Sequence, residues 1–316
     1  MKNRTLFYYL LALIILSVLT YFVLRKSFKK STLKTEETSF SVKDTASVYK
    51  IFYADKKGKK ILLERKEINQ WVVNEKQLAQ KDLIDMTLQT LHNLSIKSPS
   101  VKAARDNAIR ELATKGIKVE IYEKDKEPKI FFVGETTPDE LSTYMLMEGS
   151  ENPYLVHLPG WDVNLRFRFF MDEWEWRSRL LFHVKPENLK NLTVRYPRKD
   201  SGNFTITKVG NIFKLEGENN SNEEKIKNYL SMYGSIYMES FIKTKEKPLL
   251  KDSLLQNLPD CSIQLTDDTE ITTEIDIYLI SGNPDRMYGL AGKEKEPVTV
   301  QHYVFDALIV GKHVFF

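Results

Sequence analysis

The distribution of hydrophobic and polar positions divides the chain into an apolar N-terminal run and a longer region of mixed pattern. Residues 6–24, LFYYLLALIILSVLTYFVL, contain no charged side chain. A helix of that length spans roughly 28 Å at about 1.5 Å per residue, which is close to the hydrocarbon thickness of a bilayer. The sequence RKSFKK follows, as is typical where a helix leaves a membrane. We therefore predict a transmembrane anchor with a basic flank over residues 1–30 and a polar tether over residues 31–46.

A cleaved signal peptide is the alternative to an anchor. The apolar run is longer than the hydrophobic region of most signal peptides, and no small-residue cleavage site follows it, which favours the anchor. The flanking charges leave the orientation open. More basic residues follow the run than precede it, which by the positive-inside rule alone places the C-terminal part in the cytoplasm. A charged N-terminus before a single apolar run is also the usual signal-anchor arrangement, and long domains are translocated with limited regard for charge.

Beyond the tether, one pattern of predicted strands and helices occurs twice. Apolar and polar residues alternate over residues 48–74, with a turn at Gly58, which predicts a meander of strands. The sequence KDLIDMTLQTLHNL then has its apolar residues at helical spacing. Residues 192–217 repeat the strand pattern, and EEKIKNYLSMYGSIYM repeats the helix. Alternating patterns that predict strands then return in both copies.

Matching positions in the two copies are separated by a nearly constant number of residues. Tyr144, for example, matches Tyr288, 144 residues further along, and the separation stays between 142 and 145 throughout. Self-similarity at this period indicates two like domains rather than a solenoid of short repeats. We therefore predict the α+β class: an N-terminal transmembrane helix followed by two tandem, duplicated α+β modules with mainly antiparallel sheets, over residues 47–165 and 188–316.

The net charge of +4 is concentrated in the N-terminal flank. Residues 1–34 hold seven Lys or Arg and no acid, which leaves 40 basic and 43 acidic residues for the rest of the chain. A basic flank is suited to anionic lipid headgroups, so we expect membrane lipid as one partner. The remainder has no basic excess, which argues against nucleic acid as a partner.

The sequence contains no recognisable catalytic, cofactor-binding or metal-binding motif. No pair of its five histidines has the spacing of metal ligands on a helix or in a metal-binding loop, and the single cysteine, Cys261, excludes an internal disulfide. Nucleotide-binding and hydrolase motifs are also missing from the sequence. We therefore predict no catalytic residue, no cofactor and no metal.

Residues 166–187 form an aromatic and arginine-rich junction between the two modules. The candidate interface or ligand-binding residues are Trp174, Trp176, Arg177 and Arg179. The spacing fits both a helix and a strand, and we favour a short helix or turn. In one interpretation the aromatic rings hold the modules together and the arginines pair with nearby carboxylates. In the other, these side chains face a cleft or a partner, since Trp and Arg are the usual anchors of interfaces.

Several segments resemble domain-of-unknown-function family 4340, over roughly residues 40–215. They are ILLERKEINQWVVN, FFVGET and, most specifically, EWRSRLLFHVKPENLKNLTVRYP. The resemblance implies a membrane-anchored bacterial envelope protein of unestablished activity. Some members are encoded beside auxiliary components of ABC exporters, so the resemblance implies an accessory role, and it assigns no catalytic residue to this chain. The resemblance also favours a single-pass protein of the bacterial inner membrane whose soluble part is periplasmic rather than cytoplasmic.

Three functions are consistent with these features. The first is a non-enzymatic accessory or scaffold, for instance in an exporter-type complex, with other envelope proteins as partners. The second is a binding module for glycan, lipid or peptide in the cleft between the two modules. The third is an enzyme with an unfamiliar site, for which the sequence offers no titratable cluster. We expect the first.

Overall fold

A computed structural model describes residues 39–68, 70–161, 164–199 and 202–316. The predicted anchor over residues 1–30, and the tether as far as residue 38, lie outside the described residues. Within the described ranges, every helix is too short or too polar to cross a membrane. The chain forms two compact units, the first ending at Ser178 and the second beginning at Arg179, so the boundary falls within the predicted junction.

The first unit is built on one antiparallel sheet with helices on its faces. Its strands are β1 Val48–Ala54, β2 Lys60–Glu67, β3 Gln70–Val73, β4 Gln77–Leu78, β5 Ser95–Pro99, β6 Ile117–Glu123, β7 Lys129–Thr136, β8 Thr143–Met147 and β9 Tyr154–His157. Its helices are α1 Lys81–Asn93, α2 Lys102–Lys115 and α3 Glu173–Trp176, with a 3-10 helix at Leu165–Arg168. The strand order among the described residues is β4-β3-β2-β1-β6-β7-β8-β9-β5.

The second unit has a similar sheet. Its strands are β10 Leu180–Phe182, β11 Leu189–Arg195, β12 Phe204–Val209, β13 Ile212–Leu215, β14 Ile236–Tyr237, β15 Ser240–Phe241, β16 Cys261–Asp267, β17 Thr272–Leu279, β18 Arg286–Ala291 and β19 Glu296–Gln301. Its α-helices are α4 Glu223–Ser231, α5 Leu250–Leu255 and α6 His302–Phe305, and its 3-10 helices are Pro186–Asn188, Met232–Gly234 and Lys312–Phe315. The main sheet has the order β13-β12-β11-β16-β17-β18-β19-β15, and β10 pairs with β14.

The two sheets follow the same path when β4 is left out. In each unit a meander of three strands is followed by a helix, a short strand that pairs at the far edge of the sheet, a second helix, and four more strands. The predicted α+β class with mainly antiparallel sheets is confirmed. Among the described residues, β4 is the only strand of the first sheet for which the second sheet has no counterpart.

Each sheet buries one face under its first helix. In β1, Ile51 and Tyr53 are completely buried because residues two apart lie on the same face of a strand. The helix α1 covers that face with Ile84 and Leu91, which its helical period places on one side. In the second unit α4 does the same with Ile226 and other apolar residues.

The second helix of each unit packs on the other face of the sheet. In β7, Gly134 leaves room for Leu112 of α2, since a Cβ at that position would lie only 3.0 Å from the Leu112 Cδ2. In the second unit, Leu254 of α5 packs against Tyr278 and Leu290. Each sheet is therefore covered on one face by its first helix and in part on the other by its second.

Candidate functional site

Of the four predicted junction residues, Trp176 is a core residue of the first unit. Its side chain is completely buried, with its ring stacked 5.9 Å from the ring of Tyr53 and edge-on to Phe170 at 5.9 Å. The indole Nε1–H donates to the Phe170 carbonyl at 3.0 Å. Because this ring is buried among core residues of the first unit, the structure fits the interpretation in which the aromatic rings of the junction act in packing. An interface role for Trp176 stays a prediction.

The other three junction residues, Trp174, Arg177 and Arg179, differ in burial and in the unit to which they belong. Trp174 is half-buried, and the guanidinium of the buried Arg177 lies 4.6 Å from its ring centroid. Arg179 is exposed, belongs to the second unit, and donates from Nη1 to the Glu239 carbonyl at 2.8 Å. Trp174 and Arg177 thus form a cation–π pair within the first unit. An interface role for Trp174, Arg177 and Arg179 stays a prediction.

The segment around Trp176 also completes the edge of the first sheet. The Gln80 N–H donates to the Trp176 carbonyl at 2.7 Å, and the Ser178 N–H donates to the Leu78 carbonyl at 2.7 Å. The chain is a short helix at α3 and then extended beside β4, where Ala79 and Arg177 form an antiparallel bridge. The sequence spacing that fitted both a helix and a strand reflects this change of conformation.

An equivalent hydrogen bond occurs in the second unit. Asn222, the N-cap of α4, lies 142 residues after Gln80, the N-cap of α1, and its N–H donates to the Phe315 carbonyl at 2.7 Å. Phe315 is completely buried and packs edge-on against Phe204 and Tyr229, at centroid distances of 5.0 and 5.3 Å. In each unit, the carbonyl of a buried aromatic residue in the last segment therefore accepts a hydrogen bond from the N-cap residue of the first helix. We call this hydrogen bond the closing bond.

The edge strand β13 of the second sheet differs from its counterpart β3. The Glu216 N–H donates to the Thr205 carbonyl at 2.9 Å, so in the antiparallel pattern the backbone N–H and C=O of Phe213 point away from β12. In the first unit, the equivalent Trp71 carbonyl accepts the Ala79 N–H at 2.8 Å. No strand lies on the outer side of β13 in the part of the chain that the structure describes.

A polar cavity of about 200 Å³ lies beside Trp161 in the first unit. Its lining residues are Gln89, Thr90, Asn93, Leu158, Pro159, Trp161 and Arg168. The Arg168 guanidinium carbon is 5.6 Å from the centroid of the Trp161 ring. An exposed aromatic face, a cation and two carboxamides thus converge on one small space.

The titratable groups of the described residues do not form a metal site. In these residues, no group of three or more His, Cys, Asp or Glu is placed to hold a metal ion. Burial raises the pKa of the Cys261 thiol to about 12, and a hydrogen bond with Tyr196 opposes this rise only in part. Burial likewise raises the pKa of Tyr229, whose hydroxyl donates to the Leu308 carbonyl at 2.7 Å. Both groups are neutral near pH 7 and are part of the core.

Sequence reasoning missed the cavity beside Trp161. The available signal was the sequence LPGW, because Pro-Gly in the centre of a four-residue turn leaves the next side chain at the surface. The residues Gln89 and Asn93 could not have been joined to this turn without the fold.

The chain is thus an α+β protein of two units with largely antiparallel sheets. The family model described as Domain of unknown function (DUF4340) matches residues 71–257, more than half of the chain. The chain belongs to this family, as the resemblance predicted. No curated protein and no solved structure is significantly similar to it.

Replacing Trp176 with Ala is expected to destabilise the first unit by about 3–5 kcal/mol, the usual cost of truncating a buried Trp. The loss combines a cavity beside Tyr53 with an unsatisfied Phe170 carbonyl. Urea unfolding, followed by circular dichroism, measures the change. Trp161→Ala is the control, expected to change the unfolding free energy by less than about 0.5 kcal/mol because this ring is mostly exposed. Equal unfolding midpoints for the two variants would contradict the core role.

The Cys261 thiol is expected to be inert in the folded chain. With a pKa of about 12 in the folded state and an ordinary thiol pKa once unfolded, its reaction at about pH 8 should be slower in the folded state by on the order of a thousandfold. A chromogenic disulfide reagent, added with and without concentrated urea, measures this rate. Because Cys261 is the only cysteine, the signal has no background from other thiols. Rapid labelling of the native chain would show an accessible thiolate instead.

Proposed function

We propose that this chain is a single-pass, membrane-anchored protein of the bacterial envelope that acts as a non-enzymatic accessory or scaffold. Membership of the family and the apolar run at residues 6–24 support the anchored state. An exporter-type complex is one assembly that such an accessory would serve. Other envelope proteins are its partners, and the basic flank contacts membrane lipid.

The open edge of β13 is the observation that carries the scaffold role. A strand edge with free backbone groups accepts an extended segment of another protein through main-chain hydrogen bonds. The first unit shows what such an occupant is like, because there β4 lies beside β3, and the N–H of Ala79, the residue after β4, donates to the Trp71 carbonyl. In the second unit the chain turns at Gly217 and reaches α4 without forming a strand. Exposed Ile212 and Lys214 flank the free backbone of Phe213.

A tandem duplication accounts for the two units. The shared strand order, the constant offset of matching residues, and the same hydrogen bond from the helix N-cap to the closing aromatic residue all support it. On this proposal β4 distinguishes the two copies. The first copy covers its own edge, whereas the second copy is free to bind a partner there.

A binding module for glycan, lipid or peptide is the second candidate function. The cavity beside Trp161, within the first unit, supports it because an exposed aromatic ring and convergent polar groups are typical of small-ligand sites. The two candidates are compatible, since they use different units of the chain.

The soluble part is expected to lie in the periplasm, with the cytoplasm as the alternative. A C-terminal alkaline phosphatase fusion, which is active only outside the cytoplasm, should be active. A C-terminal fluorescent protein that matures only in the cytoplasm should be dark in the same cells. The opposite pair of results would place the soluble part in the cytoplasm.

A photoreactive amino acid at Lys214 is expected to crosslink a reproducible partner in intact cells, whereas the same group at Val72 should not. Val72 is the matched control because it lies 142 residues earlier, on β3, whose outer side is covered by β4. Mass spectrometry of the membrane fraction identifies the product. Adding Ile212→Lys, which replaces an exposed apolar side chain of the edge strand with a charged one, should reduce crosslinking severalfold. Equal products from both positions, or no effect of Ile212→Lys, would contradict the edge as the docking site.

A further inference from the structure

We infer that the cavity beside Trp161 binds an acidic saccharide, a sugar ring that carries a carboxylate. This inference rests on the binding-module candidate and names its ligand class and residues. It does not depend on the scaffold role, which is assigned to β13 of the second unit.

A tight turn fixes the Trp161 backbone. The Trp161 N–H donates to the Leu158 carbonyl at 3.1 Å, with Pro159 and Gly160 as the central residues. Gly160 has a φ of +79°, which a type II turn requires at its third residue, and Pro159 presets the second. Leu158 is buried, so it anchors the turn in the core. The indole is therefore held on a short, conformationally restricted turn.

Trp161 is the most exposed tryptophan among the described residues. Trp161 is 59% exposed, whereas Trp71 is 5% and Trp176 is 0% exposed. Leaving a large aromatic ring in water costs burial energy that the fold recovers for Trp71 and Trp176. A flat, exposed indole offers the apolar C–H face of a sugar ring a surface on which to stack.

Arg168 supplies the positive charge of the site. Its guanidinium lies beside the indole, and the described residues that line the cavity include no acid. In this part of the first unit the arginine ion pairs between described residues are made by Arg105 and Arg166, and none is made by Arg168. A guanidinium has donors in a planar fork that matches a carboxylate, so the preferred ligand carries an anionic group next to its apolar face.

Two carboxamides face the same space from the last turn of α1. Gln89 and Asn93 are four residues apart and so lie on one side of the helix. The Asn93 Nδ2–H donates to the Gln89 carbonyl at 3.0 Å, which orients the Asn93 side chain. Each carboxamide offers both a donor and an acceptor, as a ligand with several hydroxyl groups requires.

The size and polarity of the cavity favour a sugar over a lipid or a long peptide. At about 200 Å³ it is smaller than pockets for drug-sized ligands, which run from roughly 300 to 1,000 Å³. It therefore accommodates a group of about one ring. An acyl chain would leave Arg168 and both carboxamides without partners, at a cost in desolvation.

The second unit shows why the assignment is limited to the first. The second unit has a cavity lined by Tyr303, which is 83% exposed, and by Arg286. However, Arg286 makes a bidentate ion pair with Glu239 at 2.7 Å, so its charge is already neutralised. An exposed aromatic residue lines both cavities, but among the described residues only the first cavity combines it with an arginine that makes no ion pair.

Fluorine NMR of the full chain, labelled with fluorotryptophan and held in detergent, tests the assignment. Trp161→Phe identifies the Trp161 resonance by its loss. The probes are methyl β-glucuronide and methyl β-glucoside, which differ only in a carboxylate against a hydroxymethyl group. The glucuronide is expected to shift the Trp161 resonance saturably, and the glucoside to bind about tenfold more weakly because it cannot pair with Arg168. Arg168→Gln should produce the same tenfold weakening for the glucuronide.

Matched variants separate binding from folding. Phe167→Ala removes a ring that is 75% exposed, one residue from Arg168 but outside the cavity, and should leave binding unchanged. By calorimetry, Trp161→Ala should lose glucuronide binding, whereas Trp161→Phe retains it within a few-fold. The Trp161→Ala variant should still crosslink through a photoreactive amino acid at position 214. Loss of saccharide binding is therefore distinguishable from failure of the scaffold role.

Three results would overturn the assignment. One is the lack of any glucuronide-dependent shift at Trp161. Another is equal affinity for the glucoside, which would exclude the anionic group. The third is an equal shift by an acetylated, amidated glutamate peptide, which would show that a carboxylate alone is sufficient and that the ligand is not specifically a saccharide.

Discussion

The hydrogen bond from the N-cap of the first helix to the carbonyl of a buried aromatic residue organises each unit. Gln80 bonds to Trp176, and Asn222 bonds to Phe315, both at 2.7 Å. A helix start has unsatisfied N–H groups, and a buried closing segment has carbonyls that need donors. One bond meets both needs, and it fixes where the aromatic ring enters the core. Helix position, core packing and the course of the last segment therefore depend on one another in each unit.

In the first unit, the covering of the sheet edge follows from this hydrogen bond. Once the carbonyl of Trp176 is held beside α1, the next residues run alongside β4, and the Ser178 N–H bonds to Leu78. The edge of β3 is thus covered by β4, and the segment after α3 lies in turn beside β4. In the second unit the same closing bond occurs, and no strand of the described residues lies beside β13. Closing the core and covering the edge are therefore separate requirements, and a unit of this kind can keep the closing bond while its edge strand stays exposed.

The alternating and helical patterns were sufficient for the class and for most strands, because period and burial are set locally. The interval between Tyr144 and Tyr288 likewise anticipated matching strands in the two sheets. The site was harder. Trp176 and Trp174 are neighbours in a charged segment, and no local pattern shows that one ring stacks on Tyr53 in the core while the other lies under Arg177. Whether an aromatic ring is buried depends on the space that the rest of the folded chain leaves for it. The spacing of residues in the sequence does not specify that space.

The two units also show how similar frameworks come to present different surfaces. Trp161 and Tyr303 are both exposed and each lines a cavity, yet the described residues that line the cavity of Arg168 include no acid, whereas Arg286 pairs with Glu239. Conversely, β3 is covered and β13 is open. Neither difference alters a buried residue of the sheets, so each could arise without a cost in stability to the core. The cores preserve the closing bond and the strand order, while the variable positions lie at a turn, an edge and a surface ion pair. Divergence of function between the copies is therefore expected at these exposed positions and not in the shared core.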